Sequence, residues 1–313
     1  MREITRSNDP VFLSYLQAEL AADGIEALVL DAFASSVLEP MNMTALQRVM
    51  VGDDDYWRAW AVLEEAEERV TEDAVLGGRV TLLQPKDGFR AAVDPILLAA
   101  CVAAGAKDQV LDCGTGTGAA AFALAARVPD VTVLGIDLQP NLIALAERAA
   151  DKNGLEDRAR FQLCDVAAPP KAMQTQLFDH VMSNPPFLDA RRGQAPKDKG
   201  RALASVESTA DLATWLRFMT ERLRDGGTLS IIHRFDRVPE ILERLHDEFG
   251  ELKRLDLVPV DDGRPVKRTI VQAVKGAATG AVTETRIVVH DADGGFTAEA
   301  EAVLRDAMPL PMS

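Results

Sequence analysis

Three carboxylates, one asparagine and a glycine-rich turn stand where apolar runs end, and their types and spacing define the chemistry available. LDCGTGTG (111–118) sets Asp112 just ahead of Gly114, Gly116 and Gly118, where a buried-strand run hands over to the helical stretch AAAFALAARVP. Glycines at such a turn allow tight bending and let a ligand approach the backbone closely. Asp137 ends the next run, VTVLGID, about twenty residues further on, where a carboxylate can accept hydrogen bonds from both hydroxyls of a ribose. Asp165 closes a third run, ARFQLCD, a position suited to holding an adenine amino group. A fourth run, DHVMS, delivers Asn184 within the pentapeptide SNPPF (183–187). Pro185 and Pro186 fix two successive φ angles and remove two N–H donors, and Pro185 drives Asn184 into an extended conformation. Phe187 adds a flat apolar ring.

Two ligands compete for the glycine turn. Gly114 to Ala119 satisfies the looser dinucleotide pattern GxGxxA, which favours a pyrophosphate. Asp112 argues the other way, because a carboxylate beside the turn repels a pyrophosphate and attracts a cationic amino group. With Asp165 as a second adenosine contact, S-adenosylmethionine is the better fit. SNPPF then completes the chemistry. An adenine amino or glutamine amide nitrogen is a poor nucleophile because its lone pair is delocalised. Asn184 Oδ1 and the Pro185 carbonyl can accept its two N–H bonds, prolines fix the direction of that carbonyl in advance, and Phe187 can stack on the substrate. The expected reaction is a direct in-line displacement with no covalent enzyme intermediate and no metal.

The elements that must position these residues are legible as pattern. From about residue 85, strands alternate with helices, which predicts βαβ units and a mostly parallel, doubly wound sheet with the acids along one rim. Later apolar runs, GTLSIIHR, LDLVPV, RTIVQAVKG and TRIVVH, predict further strands and a hairpin at the sheet edge. Residues 1–75 read instead as a small α+β unit of βαββα order, with Pro10 opening its first helix and Gly24 closing it. Its loop AFASSVLEPMNMTA is apolar enough to be a contact surface. The domain division expected is therefore 1–75 and 76–313.

Net charge is −15, which taken alone disfavours a nucleic-acid partner. The acidity is uneven. Residues 1–75 hold sixteen acids against five arginines, a net of −11, which leaves −4 for the rest. RRGQAPKDKGR (191–201), directly after the proline pair, carries five bases and one acid, so Arg191, Arg192, Lys197 and Lys199 are candidates for RNA phosphates. No run of eighteen apolar residues and no apolar leader is present, so a cytoplasmic protein without membrane contact is expected. Cys101, Cys113 and Cys164 form no CxxC pair and read as buried thiols. The four histidines have no metal-like spacing and read as structural or solvated.

LDCGTGTG followed by GID, CD and NPPF resembles the class I S-adenosylmethionine-dependent methyltransferases, and within them the NPP-aromatic group that methylates planar amino nitrogens. The resemblance implies a Rossmann-like seven-stranded sheet over roughly 85–275. It implies that Asp112, Cys113, Gly114, Thr115, Gly116, Gly118, Asp137, Leu138, Asp165, Val166 and Asn184 bind the cofactor, and that Asn184, Pro185, Pro186 and Phe187 form the catalytic motif. GGRVTLLQPKDGFRAAVDPILLAA (77–100) and RIVVHDADGGFTAEAEAVLRD (286–306) further resemble the bacterial tRNA(Val) adenine-N6 methyltransferases. That implies a tRNA substrate and an opening segment over the cofactor, with Phe89, Arg90 and Asp94 in contact. Phe187 stands where tyrosine is frequent in this group, losing a hydroxyl and keeping the stacking face. The N-terminal stretches REITRSNDPVFLSYLQAELAADGIEALVLD and RVMVGDDD resemble a family of prokaryotic signal-transducing proteins, which implies a protein partner for residues 1–75. Rival readings are methylation of a release-factor glutamine, of a guanine amine in rRNA, or a cofactor-sensing regulator without transfer.

Overall fold

Gln109, Val110, Leu111, Asp112 and Cys113 form a strand whose alternate side chains enter two different cores, and that alternation organises the larger part of the molecule. The computed structural model describes residues 1–313 apart from 8–9, 31–46, 69, 87–89, 92, 187, 190–205, 208–209 and 313. The chain begins with β1 (Arg2–Ser7), α1 (Pro10–Ala22), β2 (Ala27–Leu30), β3 (Gln47–Val51) and α2 (Tyr56–Glu68). This is the βαββα order expected, built on an antiparallel sheet of order β1-β3-β2. Ile4, Val49 and Val51 face α1 and α2 in a small separate core, which also takes in Ala144. The apolar loop read as a contact surface lies outside the described residues.

A hairpin that the hydrophobic pattern did not announce follows: β4 (Val70–Val75) pairs antiparallel with β5 (Val80–Pro85). It spans both sides of residue 75. Val70 packs against the small core and the large one alike.

The remaining order is α3 (Val93–Cys101), β6 (Gln109–Cys113), α4 (Ala119–Arg127), β7 (Thr132–Asp137), α5 (Pro140–Lys152), β8 (Ala159–Leu163), α6 (Lys171–Thr175) and β9 (Phe178–Ser183). After these come β10 (Leu188–Asp189), β11 (Val206–Glu207), α7 (Leu212–Glu221), β12 (Leu223–Arg234), α8 (Val238–Leu245), β13 (Phe249–Val260), β14 (Arg268–Lys275), β15 (Thr283–His290) and α9 (Ala298–Asp306).

The main sheet runs β15-β13-β14-β12-β9-β6-β7-β8. It is doubly wound and mostly parallel, and only β14 runs against its neighbours. The hairpin expected at the sheet edge is not formed: β13 and β14 pair antiparallel inside the sheet, and the edge strand β15 adds in parallel to β13, because the chain crosses over from β14 to reach it. The sheet holds eight strands, one more than seven, because TRIVVH adds to β13 in parallel as β15. Val110 and Met182 enter the core under α3, α4 and α5, while Leu111, Val181 and Ile231 enter the one under α7 and α8. α1 lies on α5, with Arg148 placed 5.5 Å over the Phe12 ring. No helix among the described residues is long and apolar enough to cross a membrane.

Candidate active site

β9, β6, β7 and β8 are neighbours running the same way, so their C-terminal ends share one rim. Register fixes the alignment: Cys113 lies opposite Ser183 on one side and Ile136 on the other, and Asp137 lies opposite Leu163. Asn184, Gly114, Asp137 and Asp165 therefore leave the sheet beside one another. Ser183 Oγ donates to the Cys113 carbonyl at 2.8 Å, stapling two strands one residue before Asn184 and Gly114.

The glycine loop is folded by its own backbone. Gly114 and Thr115 N–H both donate to the Ile136 carbonyl, at 2.8 and 2.9 Å, and Gly118 N–H donates to Thr115 O at 3.0 Å. Gly114 has φ +71°, and a Cβ there would lie 2.9 Å from Trp215 on α7. Gly116, at φ +57°, has open space where its Cβ would be, so a ligand can reach bare backbone.

Asp112 is the buried charge of the site. It is 2% exposed and accepts a 2.7 Å hydrogen bond from Thr115 Oγ1. Burial pushes its carboxyl up to about 7, against the Thr115 hydrogen bond, with the neighbouring Asp137 adding to the rise. Asp137 is also raised by burial, offset by N–H groups of Gln139 and Gly116, each 2.9 Å from one of its oxygens. A cationic amino group near Asp112 relieves both the burial and the like charge. Asp165 is half-buried and accepts from Ala167 N–H at 2.8 Å.

A cleft with about 430 Å³ of empty space, part of it open to solvent, lies against this rim. Of the residues read from sequence, Asp112, Gly114, Thr115, Gly116 and Asn184 form its wall. Cys113, Gly118, Asp137, Leu138, Asp165, Val166, Pro185, Pro186, Arg90 and Asp94 are not in that wall, although most flank it on the rim. Phe89, Phe187, Arg191, Arg192, Lys197 and Lys199 lie outside the described residues. Ala91, Pro95, Thr117, Ala119, Ala120 and Leu142 complete the wall without having been singled out. Thr117 sits inside the glycine motif, and Ala119 and Ala120 open a helix whose N-terminus points at the site, a signal that was available. Ala91, Pro95 and Leu142 are apolar, and nothing in their types marks them.

Among the side chains of the described wall residues, Asn184 Oδ1 is in deficit. It is buried and has no hydrogen-bond partner among the described residues. Arg90 and Asp94, expected at the cofactor, have protein partners. The Arg90 guanidinium pairs with Asp73, and Asp94 Oδ2 is 3.4 Å from Arg268 Nε. Burial raises the Asp94 carboxyl, and the charge of Arg268 opposes that.

The three cysteines are free and buried. His180 lies at the opposite rim between Thr228 and Asp108. His233, buried on β12, is lowered to about 4 by burial and by Arg237, Arg268 and Arg234. Among the described residues no group of three or more His, Cys, Asp or Glu could hold a metal ion.

Residues 105–280 match the family model described as "Methyltransferase domain", and residues 1–67 match that described as "Putative prokaryotic signal transducing protein". The chain is 28% identical to a tRNA1(Val) (adenine(37)-N6)-methyltransferase of Actinobacillus pleuropneumoniae serotype 5b, over 72% of this chain and 93% of that protein. It is 35% identical to the release factor glutamine methyltransferase of Salmonella typhimurium, over 40% of this chain and 46% of that protein. A solved structure of a predicted O-methyltransferase, Atu636 from Agrobacterium tumefaciens, superposes with TM-score 0.56 at 24% identity, covering 69% of this chain and 98% of that one. That likeness is one of fold.

Proposed function

Because the chain belongs to the methyltransferase domain family, we propose that it methylates the N6 amino group of an adenine in tRNA, with S-adenosylmethionine as donor. The observation that carries this reading is Asn184 Oδ1, a buried acceptor without a donor in the wall of the cleft. Such an atom costs about 1–3 kcal/mol until something donates to it, and an exocyclic amine brings the missing N–H. The similarity to a tRNA1(Val) (adenine(37)-N6)-methyltransferase over nearly its whole length supports adenine in tRNA as the class of substrate.

The residues divide the work as follows. Asp112 receives the amino group of the donor and is ionised by it. Gly116 offers bare backbone, and Asp137 and Asp165 serve the adenosine end along the rim. Asn184 Oδ1 and the Pro185 carbonyl accept the two N–H bonds of the substrate amine, which turns its lone pair towards the donor. S-adenosylmethionine supplies a sulfonium methyl group for direct in-line displacement. As the C–N bond forms and the sulfonium C–S bond breaks to leave a neutral thioether, the nitrogen becomes more acidic and Asn184 Oδ1 holds the N–H that strengthens, so the contact is worth most in the transition state; one amine proton is then lost to solvent. Phe187 stacks on the base, and Arg191, Arg192, Lys197 and Lys199 meet RNA phosphates. Residues 76–313 carry catalysis, and the acidic unit 1–75 meets a protein partner. A tRNA substrate implies work in the cytoplasm.

A glutamine side chain is the second reading, since its amide also presents two N–H bonds to Asn184 and a release factor glutamine methyltransferase is 35% identical over 40% of the chain. Incubation with labelled donor and either bulk tRNA or release factor separates the two. Label in tRNA, recovered as N6-methyladenosine, is the expected result. Label in release factor alone would favour glutamine, and donor binding without any transfer would favour a sensor. Calorimetry showing no binding of the donor or its demethylated product would sink the reading.

A further inference from the structure

Ala91 and Pro95 form one side of the cleft, yet the segment bearing them belongs to neither a strand nor the glycine loop. What holds Ala91 in place is Gln84, the next-to-last residue of β5. Its side chain is 3% exposed, and both ends of the amide are used. Oε1 accepts the Ala91 N–H at 2.7 Å, and Nε2 donates to Asp73 Oδ2 at 2.8 Å. Asp73 Oδ2 also accepts from Thr71 Oγ1 at 3.2 Å and pairs with the Arg90 guanidinium. Arg90 Nη1 donates in turn to Thr71 Oγ1 at 2.7 Å and to the Pro85 carbonyl at 3.2 Å. Burying a glutamine amide is costly unless its groups are matched, and here each is matched to the segment that walls the cleft or to the strand beside it.

The strand beside it is β4. Thr71 and Asp73 sit on it, and it follows α2 of the N-terminal unit. The cleft wall is thus fastened by side chains to the strand that leaves the N-terminal unit, and Lys152 on α5 pairs with Glu72 of the same strand at 2.6 Å.

We infer that Gln84 is a positioning residue for the methyl donor, holding Ala91 at the cleft wall and, through Asp73, tying that wall to β4. Resting on the donor site proposed above, it links that site through side chains to the strand that leaves the N-terminal unit. Gln84 and Asp73 lie outside the cleft wall, so they act on donor binding through Ala91 and not on the transfer step. The prediction is a split between the two. Loss of the network loosens the wall and raises the dissociation constant and KM for the donor, while kcat at saturating donor and KM for tRNA stay put.

The experiment uses the full chain and S-adenosylmethionine itself, by calorimetry and steady-state kinetics. Gln84→Glu keeps an acceptor for Ala91 N–H but sets a carboxylate against that of Asp73. It should raise donor Kd and KM by about tenfold, with kcat within about twofold. Adding Asp73→Asn restores a donor–acceptor pair with its direction reversed, and Q84E/D73N should recover donor affinity to within about threefold of the natural protein. A merely structural role would lower the melting temperature of Gln84→Glu with no selective change in donor KM and no rescue. Asp73→Asn alone is safe for folding, because Asp73 is 34% exposed, and it should weaken donor binding by a few fold. Unchanged donor affinity in both single variants, with the natural protein binding normally, overturns the inference and leaves the methyltransferase reading intact. Failure of the natural protein to bind the donor overturns both.

Discussion

Replacing Asn184 by alanine should raise stability or leave it unchanged while nearly abolishing transfer, a combination that few core positions give. The buried, undonated Oδ1 costs the free protein about 1–3 kcal/mol, and truncation removes that cost. Against this stands the packing lost on deleting a small side chain, on the order of 1 kcal/mol. The net expectation runs from about zero to about +2 kcal/mol. For a chain of this size each kcal/mol moves the melting midpoint by about 2–4 °C at most, so a rise of up to several degrees is expected. Transfer behaves oppositely, because an oriented polar contact that tightens in the transition state is worth about 10²–10³ in rate. The assay pairs a thermal melt with single-turnover transfer of labelled methyl to tRNA, and calorimetry checks that donor affinity stays within about threefold. A fall of several degrees in the melting midpoint, with transfer within tenfold of normal, would refute the reasoning. It would mean that Oδ1 has a structural partner and no reacting one.

Asp112 gives a pH signature. Its carboxyl loses its proton near 4 in the unfolded chain and at about 7 in the folded one, so its contribution to stability is full below about pH 4 and is lost as pH rises to about 7. The melting temperature of the natural protein should fall relative to Asp112→Asn across that window, and parallel curves would count against a raised Asp112. Near pH 6 donor binding should release about one proton more from the natural protein than from Asp112→Asn, measured by calorimetry in buffers of different ionisation enthalpy. Gly114→Ala meets both a left-handed φ and the Trp215 ring, and should cost about 2 kcal/mol or more and weaken donor binding. Gly24→Ala, at the same φ but with nothing within 4 Å, should cost only about 1 kcal/mol and leave donor binding alone, and equal costs would show that Trp215 yields. Neutralising Arg191, Arg192, Lys197 and Lys199 together should flatten the salt dependence of tRNA binding by up to about three units of log–log slope, and an unchanged slope would make that stretch a solvated one.

The rim was legible because strand ends and helix starts are marked by residue type. Glycines need positive φ at 114, 116 and 118, acids close apolar runs at 137 and 165, and prolines announce the turn at 185 and 186. What sequence could not show is which polar groups neighbours would claim. Arg90 and Asp94 carry the charges expected of ligand contacts, and only the fold reveals Asp73 and Arg268 beside them. The hairpin β4–β5 was hidden for a related reason. VTEDAV alternates weakly, with Val70 and Val75 half-buried and acids between them, so no period-two signal rises above that of a loop. Leu142 and Ala91 owe their place at the cleft to the path of the chain and not to their chemistry.

Those two unforeseen pairings lie at opposite ends of one segment. Gln84 and Arg90 hold its start against β4, and the Asp94–Arg268 pair holds its end against the first residue of β14. Between them lies Ala91, with Pro95 directly after Asp94 in α3, and both form part of the cleft wall. Both fastenings bear on the same described residues of the wall, so breaking one should loosen donor binding and breaking both should cost less than the sum. The measurable form is a double-mutant cycle on donor Kd between Gln84→Glu and Arg268→Gln. A coupling of about threefold or more below additivity supports a single shared wall, and strict additivity would make the two fastenings independent.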